Sequence, residues 1–505
     1  MQISNKVFNR VAYSVIGNVT RALLSFITGI LLARGLGPAE YGVFGFLLAS
    51  FTALTQLLDM GSSNAFITFI SQRIRSKSYL LYYGLWILLQ FLFSIILIVA
   101  VVPDDFLREL WHGESRERVF VSFVAVFLQN KVWQAAVQIG ESQRFTHIVQ
   151  AVSVSIACVH LIIIVLLFWS GRPSIEFVYG IVAVEFFLGS CVAIWFFPLR
   201  YSKDKEAPSA VIREYGKYCY PLVPTVWVAV LTGFADTWLL QRFGGAIEQA
   251  YYVVALQFSV VSLIATRSVL NILWKEVSEA YQAKKVEVVR KLFTRTTKSL
   301  YCLGAMISGA LIPWVDEIIS IFLGDSYLAG SLVMMIMFIY PIDQARGQVA
   351  GTMLLAMEMT KSTLVLGVVS NVIGVLLTYF LLAPADANVP GLGLGASGLA
   401  LKMVVVQFFT VNVSLWWISR RLGMKAEWLY QFYGLFLFLF LGYLTNLLVN
   451  LSLGSSTAIL LRMLLNGLGY LVLIGVAIYK FPSLIGLSHA QARELFAKVR
   501  SVCGM

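Results

Sequence analysis

Long apolar stretches separated by short polar ones run the whole length of the chain. Stretches of about 20 residues, the length a helix needs to cross roughly 30 Å of hydrocarbon, lie near 8–33, 41–61, 79–102, 119–140, 147–169, 175–198 and 218–241. Seven more follow near 251–274, 299–323, 329–356, 363–383, 394–418, 428–453 and 457–479. Each is far longer than a strand, and Gly, Pro and clustered Lys or Arg punctuate the gaps. The pattern predicts an all-α polytopic membrane protein with about fourteen transmembrane helices.

Two of the junctions read as copies. Leu31, Leu32, Arg34, Gly37 and Glu40 close the first apolar segment and open the second; Leu239, Leu240, Arg242, Gly245 and Glu248 do the same for the seventh and eighth. Six spans separate the copies, an even number, so both enter the membrane in the same direction. This predicts two six-helix lobes related by a pseudo-two-fold axis along the membrane normal, followed by a C-terminal pair, an architecture met in secondary transporters. The expected divisions are an N-terminal lobe over 1–200, a cytoplasmic linker over 201–217 and a second lobe over 218–418. A terminal helix pair over 428–480 and a cytoplasmic tail over 481–505 complete the layout. Segment 276–298 reads as a short amphipathic cytoplasmic helix.

Composition agrees. With 59% hydrophobic and 13% charged residues over 505 positions, the chain has about half the charge of soluble domains. The first segment is too long for a signal-peptide core and runs into LLARGLGPAEYG with no small-residue cleavage pattern, so it is expected to remain as the first span. The formal net charge of +12 is mostly topology. With the N-terminus in the cytoplasm, most Lys and Arg fall on the cytoplasmic side, in clusters such as Arg73, Arg75, Lys77 and Arg420, Arg421, Lys425. The outer loops after 323, 383 and 453 carry none. Both termini are therefore expected in the cytoplasm, and nucleic acid is not an expected partner.

Charge inside the spans is costly, about 2.5–3.5 kcal/mol per residue at mid-bilayer on the insertion scale, so such residues turn toward protein or a wet cavity. Those singled out are Arg21, Lys131, Arg267, Arg346, Lys402 and Arg462, against Asp59, Glu185, Asp236 and Asp343. In the first span Ser14, Gly17, Asn18, Arg21, Ser25 and Thr28 share one helical face. In the seventh, Thr225, Ala229, Thr232 and Asp236 do the same. Two polar stripes facing a common cavity is the economical reading, which nominates Asn18, Arg21 and Ser25 as substrate contacts. Lys131, beside Asn130 and Gln134, reads as a cavity residue, with an interhelical bond to Glu185 as the alternative. Thr52, Gln56 and Asp59 share a face of the second span, and Arg267 lies one turn from Asn271. For Asp59 and Arg267 a structural role near the cytoplasmic boundary stands beside a role in transport. Arg462 and Lys402 lie within reach of the outer face and are expected to snorkel. Pro341 removes one backbone hydrogen bond from the tenth span, and Asp343 and Arg346 follow at i, i+3 spacing. A local ion pair steadying a kink, or a conformational hinge, are the two readings.

Other chemistry is absent from the pattern. Cys158, Cys191, Cys219, Cys302 and Cys503 have no paired spacing, and His112, His147, His160 and His489 are scattered, so neither a disulfide framework nor a metal is expected. The glycines of GLGLGASG fit G-x-G-x-x-G but follow no strand, and no phosphate loop occurs. No catalytic residue and no cofactor are expected; the chain reads as a transporter and not an enzyme.

The run ILLARGLGPAEYGVFG, with GLGLGASGLAL ahead of the twelfth segment, resembles the Wzx-type polysaccharide flippases of the multidrug/oligosaccharidyl-lipid/polysaccharide exporter superfamily. The resemblance implies a bacterial inner-membrane protein that flips undecaprenyl-pyrophosphate-linked oligosaccharide repeat units, such as those of O-antigen and lipopolysaccharide, from the cytoplasmic to the periplasmic leaflet. It implies alternating access, a groove for the lipid tail beside spans thirteen and fourteen, and drive by protons or sodium, with Asp236 and Asp59 as candidate coupling carboxylates. Arg21 matches in kind the cavity arginines of related peptidoglycan-precursor flippases. Besides the lipid-linked substrate, partners would be membrane lipid and a downstream polymerase or ligase. A cationic interior suits pyrophosphate, since guanidinium groups give forked hydrogen bonds to its oxygens. The rival within the superfamily is a multidrug antiporter, whose cationic cargo would favour an acidic cavity. A membrane-embedded glycosyltransferase or polymerase would usually need a large outer loop, and the longest here, 103–118, is short.

Overall fold

The computed structural model describes residues 5–171, 174–203, 206–261, 263, 270, 273, 276–425, 430–453, 458–486 and 489–491. Among these the chain is helical with no strand. Twelve helices are long and apolar enough to cross a membrane, against about fourteen segments in the sequence. The difference arises at the duplicated junctions, where single helical elements span two segments each. Helix α1 (Asn5–Asp59) covers the first and second, and α10 (Val223–Val261) covers the seventh and part of the eighth.

Both long elements break at the matched glycine. Gly37 has φ 74°, ψ 171° and Gly245 has φ 78°, ψ −176°, a region essentially closed to side-chain-bearing residues. In α1, Pro38 follows at once and starts the second arm, where its fixed φ suits a first helical position. The 208-residue repeat in sequence is thus a repeat in backbone conformation.

The chain separates into two compact units, Met1–Ala250 and Tyr251–Met505. In the first, α1 is followed by α2 (Ser62–Gln72), α3 (Lys77–Ile96), the short α4 (Asp104–Leu110) and α5 (Arg116–Phe127). A π-helical stretch, Leu128–Trp133, joins α5 to α6 (Gln134–Ser142). Then come α7 (Thr146–Trp169), α8 (Ile175–Phe196) and α9 (Pro208–Cys219). Ser76, Ser115 and Ser174 cap α3, α5 and α8 by accepting from the amides of Tyr79, Arg118 and Phe177, each cap stabilising by about 1 kcal/mol. The core centres on Phe46, Leu47 and Phe51 of α1 with Phe66, Tyr79, Phe123 and Phe127. Gly42 meets the start of the second arm of α10 so closely that a Cβ there would lie 1.7 Å from the Ala246 carbonyl oxygen.

The segment expected to be a plain linker is docked. Arg75, with its side chain only 3% exposed, donates to Glu206 at 2.9 Å and to Glu214 at 2.7 and 3.1 Å. Its guanidinium stacks 4.5 Å from the Tyr79 ring centroid. Desolvation works against the charge, but hydrogen bonds to Glu214 and Glu206 outweigh it and hold the guanidinium above its ordinary pKa. One member of a presumed loop cluster therefore fastens α9 to the bundle.

In the second unit, α11 (Val286–Leu311) takes up most of the segment expected to form a separate amphipathic helix. It begins after a turn at 283–285 and continues into the next span. Its first turns bury Val289 and Phe293. A 3₁₀ turn leads to α12 (Val315–Phe322), and then come α13 (Ser331–Ala356), α14 (Thr360–Leu382) and α15 (Gly395–Arg421). The terminal pair is α16 (Tyr430–Leu453) and α17 (Ile459–Lys480). Small residues let α16 approach α11: a Cβ on Gly442 would lie 1.9 Å from the Gly309 carbonyl oxygen, the close backbone packing typical of helices in lipid. The Tyr470 hydroxyl of α17 donates to Met306 O at 3.0 Å. The outward faces of this pair carry exposed Phe432, Phe436, Leu451, Leu460 and Val472.

Candidate functional site

Two polar features of the first unit gather the residues singled out in the sequence. The first is the stripe on the opening arm of α1. Arg21 Nη2 donates to Asn18 Oδ1 at 3.3 Å, and Asn18 Nδ2 donates to Ser14 Oγ at 3.3 Å. Asn18, Arg21 and Ser25 are exposed, while Thr28 is buried and donates to the Leu24 carbonyl. The 3.6-residue period places these groups on one face, and the ladder ties the guanidinium to Asn18. Gly17, on the same arm, packs against Gln150 of α7. On α10, Thr225 and Ala229 are exposed, and Thr232 and Asp236 are half-buried.

The second feature is buried. Lys131 Nζ lies 2.7 Å from Asp59 Oδ1, with the side chains 5% and 14% exposed. Lys131 therefore pairs with Asp59 and not with Glu185, which meets His160 Nδ1 at 2.8 Å. The π-helical stretch positions this lysine: one extra residue per turn shifts Asn130 and Lys131 toward α1, where Asn130 donates to Thr52 Oγ1 at 3.2 Å. Such stretches concentrate at functional sites. Asp59 ends α1 and serves the start of α2, accepting from the hydroxyls of Ser62 at 2.9 Å and Ser63 at 2.6 Å and from the Ser63 amide. The carboxylate thus has three kinds of donor, whereas the ammonium has Asp59.

The remaining candidates disperse. Arg267 lies outside the described residues. Arg346 and Asp343 form the expected i, i+3 pair at 2.8 Å, and Arg346 Nη1 also donates to Gln431 Oε1 at 2.6 Å. Helix α13 passes through Pro341 without a non-helical residue, and in the turn that the proline weakens the Phe338 carbonyl accepts from Ser308 Oγ of α11. Lys402, expected to snorkel, is instead buried, its Cε and Nζ 3.3 and 3.5 Å from where a Cβ on Gly374 would lie. Arg462 Nη1 donates to Asn450 at 3.3 Å. Of the tryptophans, Trp133 is buried, Trp227 is exposed, and Trp238 Nε1 donates to Leu110 O. Among the described residues no group of three His, Cys, Asp or Glu side chains could hold a metal ion.

Comparison with known proteins places this arrangement. The fold is similar to "Lipid II flippase MurJ, inward closed conformation", with a TM-score of 0.69 at 14% identity, over 93% of this chain and 99% of that one. It is also similar to an inward-facing multidrug resistance MATE family transporter of the MOP superfamily, with a TM-score of 0.62 at 13% identity, over 80% and 94% of the two chains. A MOP superfamily transporter from Pyrococcus furiosus, described as having a binding pocket of reverse polarity, gives a TM-score of 0.53 at 12% identity, over 82% and 94%. No curated protein sequence matches significantly. A family model described as "Polysaccharide biosynthesis protein" matches residues 7–271, more than half of the chain and all but the first six residues of the unit that carries both polar features. On that match, joined to a fold shared with membrane transporters, the chain belongs to the polysaccharide biosynthesis protein family.

Proposed function

We propose that the protein is a flippase that moves undecaprenyl-pyrophosphate-linked oligosaccharide repeat units from the cytoplasmic to the periplasmic leaflet of a bacterial inner membrane by alternating access. The observation that carries this reading is Arg21: a cation exposed within a polar ladder on the first long helix, in a protein of a polysaccharide-biosynthesis family. An arginine on a membrane helix is stable only against protein, headgroups or water. A pyrophosphate is the group of the substrate that a guanidinium binds best. Asn18 and Ser25, on the same face, extend the donor set.

Coupling to an ion gradient belongs to the same reading. Asp236 is half-buried on α10, and Asp59 is already neutralised by Lys131. A proton or sodium ion reaching Asp59 would compete with the ammonium, so occupancy there would release Lys131 and alter the α1 to π-helix junction. The sugars of the substrate are left to aromatic and polar side chains such as Trp227.

The test is made in cells lacking the gene, where the leaflet holding the polyprenyl-linked repeat unit and the amount of surface polysaccharide are measured. Wild-type protein should restore outward transfer, Arg21→Ala should not, and Arg21→Lys should restore part of it. Full activity of the alanine variant at normal expression sinks the assignment. A normal leaflet distribution in the deletion strain shifts the assignment to cation efflux.

A further inference from the structure

The second unit holds a cleft that the reading above does not use, among the polar ends of α11, α15 and α16. Its charged lining is Lys298, Arg346 and Lys425, and no Asp or Glu side chain lines it. Asp343, behind Arg346, offsets one of these three charges. Phe293, Leu415, Trp416 and Met424 supply apolar lining.

Arg346 is the anchor. Its side chain is 7% exposed, and both hydrogen bonds found for it among the described residues use Nη1. Arg346 lines the cleft, no hydrogen bond from its Nη2 or Nε is found among the described residues, and its guanidinium lies 5.3 Å from the Tyr301 ring centroid. The neighbouring amide is held one way round. Gln431 Oε1 accepts from Arg346 and from Asn412 Nδ2 at 3.3 Å, which fixes Gln431 Nε2 as a donor, and that buried donor has no partner. The Thr297 hydroxyl on the cleft wall is likewise buried without a partner. Lys298 Nζ stands 5.0 Å from the Tyr430 ring centroid, and Lys425 is exposed at the rim.

Unmet buried donors beside a cleft lined by three basic side chains, one of them buried, ask for an acceptor with several oxygens. An apolar wall beside them asks for a chain attached to it. We propose that this cleft binds the phosphate of an anionic membrane lipid, with Arg346, Lys298 and Lys425 around the phosphate and the Leu415, Trp416 and Met424 wall along the first methylenes. Positive-inside topology puts this Lys- and Arg-rich end at the cytoplasmic leaflet. The site lies wholly within the second unit and does not depend on what the protein transports.

The test uses purified, delipidated full-length protein returned to nanodiscs of phosphatidylcholine alone or with phosphatidylglycerol, and in parallel to detergent with inorganic phosphate. Phosphatidylglycerol should raise the thermal midpoint and be retained as a bound lipid in native mass spectrometry, and phosphatidylcholine should do neither. Lys298→Ala combined with Lys425→Ala should weaken that retention about tenfold. Arg346→Gln should abolish it, and the lysine pair keeps the test informative if the buried change impairs folding. Equal retention of both lipids, or retention unchanged in the lysine variant, overturns the proposal. Equal protection by millimolar inorganic phosphate overturns the lipid source and assigns the cleft to soluble phosphate.

Discussion

The buried pair of Lys131 and Asp59 gives an asymmetric prediction. At 2.7 Å and an effective dielectric of about 20, the attraction is about 6 kcal/mol before desolvation is subtracted. Removing one partner of such a pair typically costs about 3–5 kcal/mol, because the other is left buried and uncompensated. The two single changes should not cost the same. Lys131→Met leaves Asp59 with the Ser62 and Ser63 hydroxyls and the Ser63 amide, which places it near the lower end of that range. Asp59→Asn leaves the ammonium 5% exposed with no second acceptor among the described residues, which places it near the upper end. The double variant has no charge to desolvate and should return to within about 1–2 kcal/mol of wild type. Reversible unfolding in mixed micelles, run as a double-mutant cycle, measures the coupling directly. Single effects that add to within about 0.5 kcal/mol in the double variant refute the pairing. If Asp59 also couples transport to an ion gradient, the double variant should be folded, present at normal abundance and inactive in the leaflet assay.

Four further outcomes follow from the same structure. Gly37→Ala and Gly245→Ala should each destabilise by about 1–3 kcal/mol although a Cβ at either position meets nothing within 4 Å; a neutral thermal midpoint in both would show that the backbone need not hold that conformation. Gly42→Val should abolish the close approach to Ala246, read as loss of a disulfide between cysteines introduced at flanking positions; an undiminished cross-link contradicts it. Arg75→Met should speed hydrogen exchange across 206–219, with a cost of about 3–5 kcal/mol, since Glu206 and Glu214 lose their shared partner; unchanged exchange refutes the docking. His112 lies in the loop before α5, where desolvation first and the Arg242 charge second hold its pKa below the ordinary value. The folded state therefore resists protonation, so its stabilising contribution is present above about pH 6.5 and is lost as pH falls through the depressed pKa. Trp238, 5.5 Å from the His112 ring, should report this as a fluorescence change that His112→Gln removes.

How far the sequence reaches can be judged residue by residue. Segment length alone predicted membrane-spanning helices, because lipid offers the backbone no hydrogen-bonding alternative to a helix. The duplicated L-L-x-R-x-x-G junction predicted a structural repeat, and Gly37 and Gly245 share one backbone conformation because only glycine reaches it. Helical period was enough to place Asn18, Arg21 and Ser25 on one exposed face, and to pair Asp343 with Arg346 one turn away, since i, i+3 and i, i+4 neighbours are fixed by local geometry. Long-range choices were not legible. Nothing local distinguishes Asp59 from Glu185 as the partner of Lys131; the tertiary position of the π-helical stretch beside the end of α1 decides it. Arg75 looked like one of several loop cations until Glu206 and Glu214, more than 130 positions away, enclosed it. Lys402 looked able to reach an interface, but the missing side chain of Gly374 opened a berth for it inside. The sequence determined which segments are helical and which face of each is polar, because those depend on neighbours within one or two turns. Tertiary packing decided which buried charges meet, because that depends on helices brought together by burial of apolar surface far along the chain.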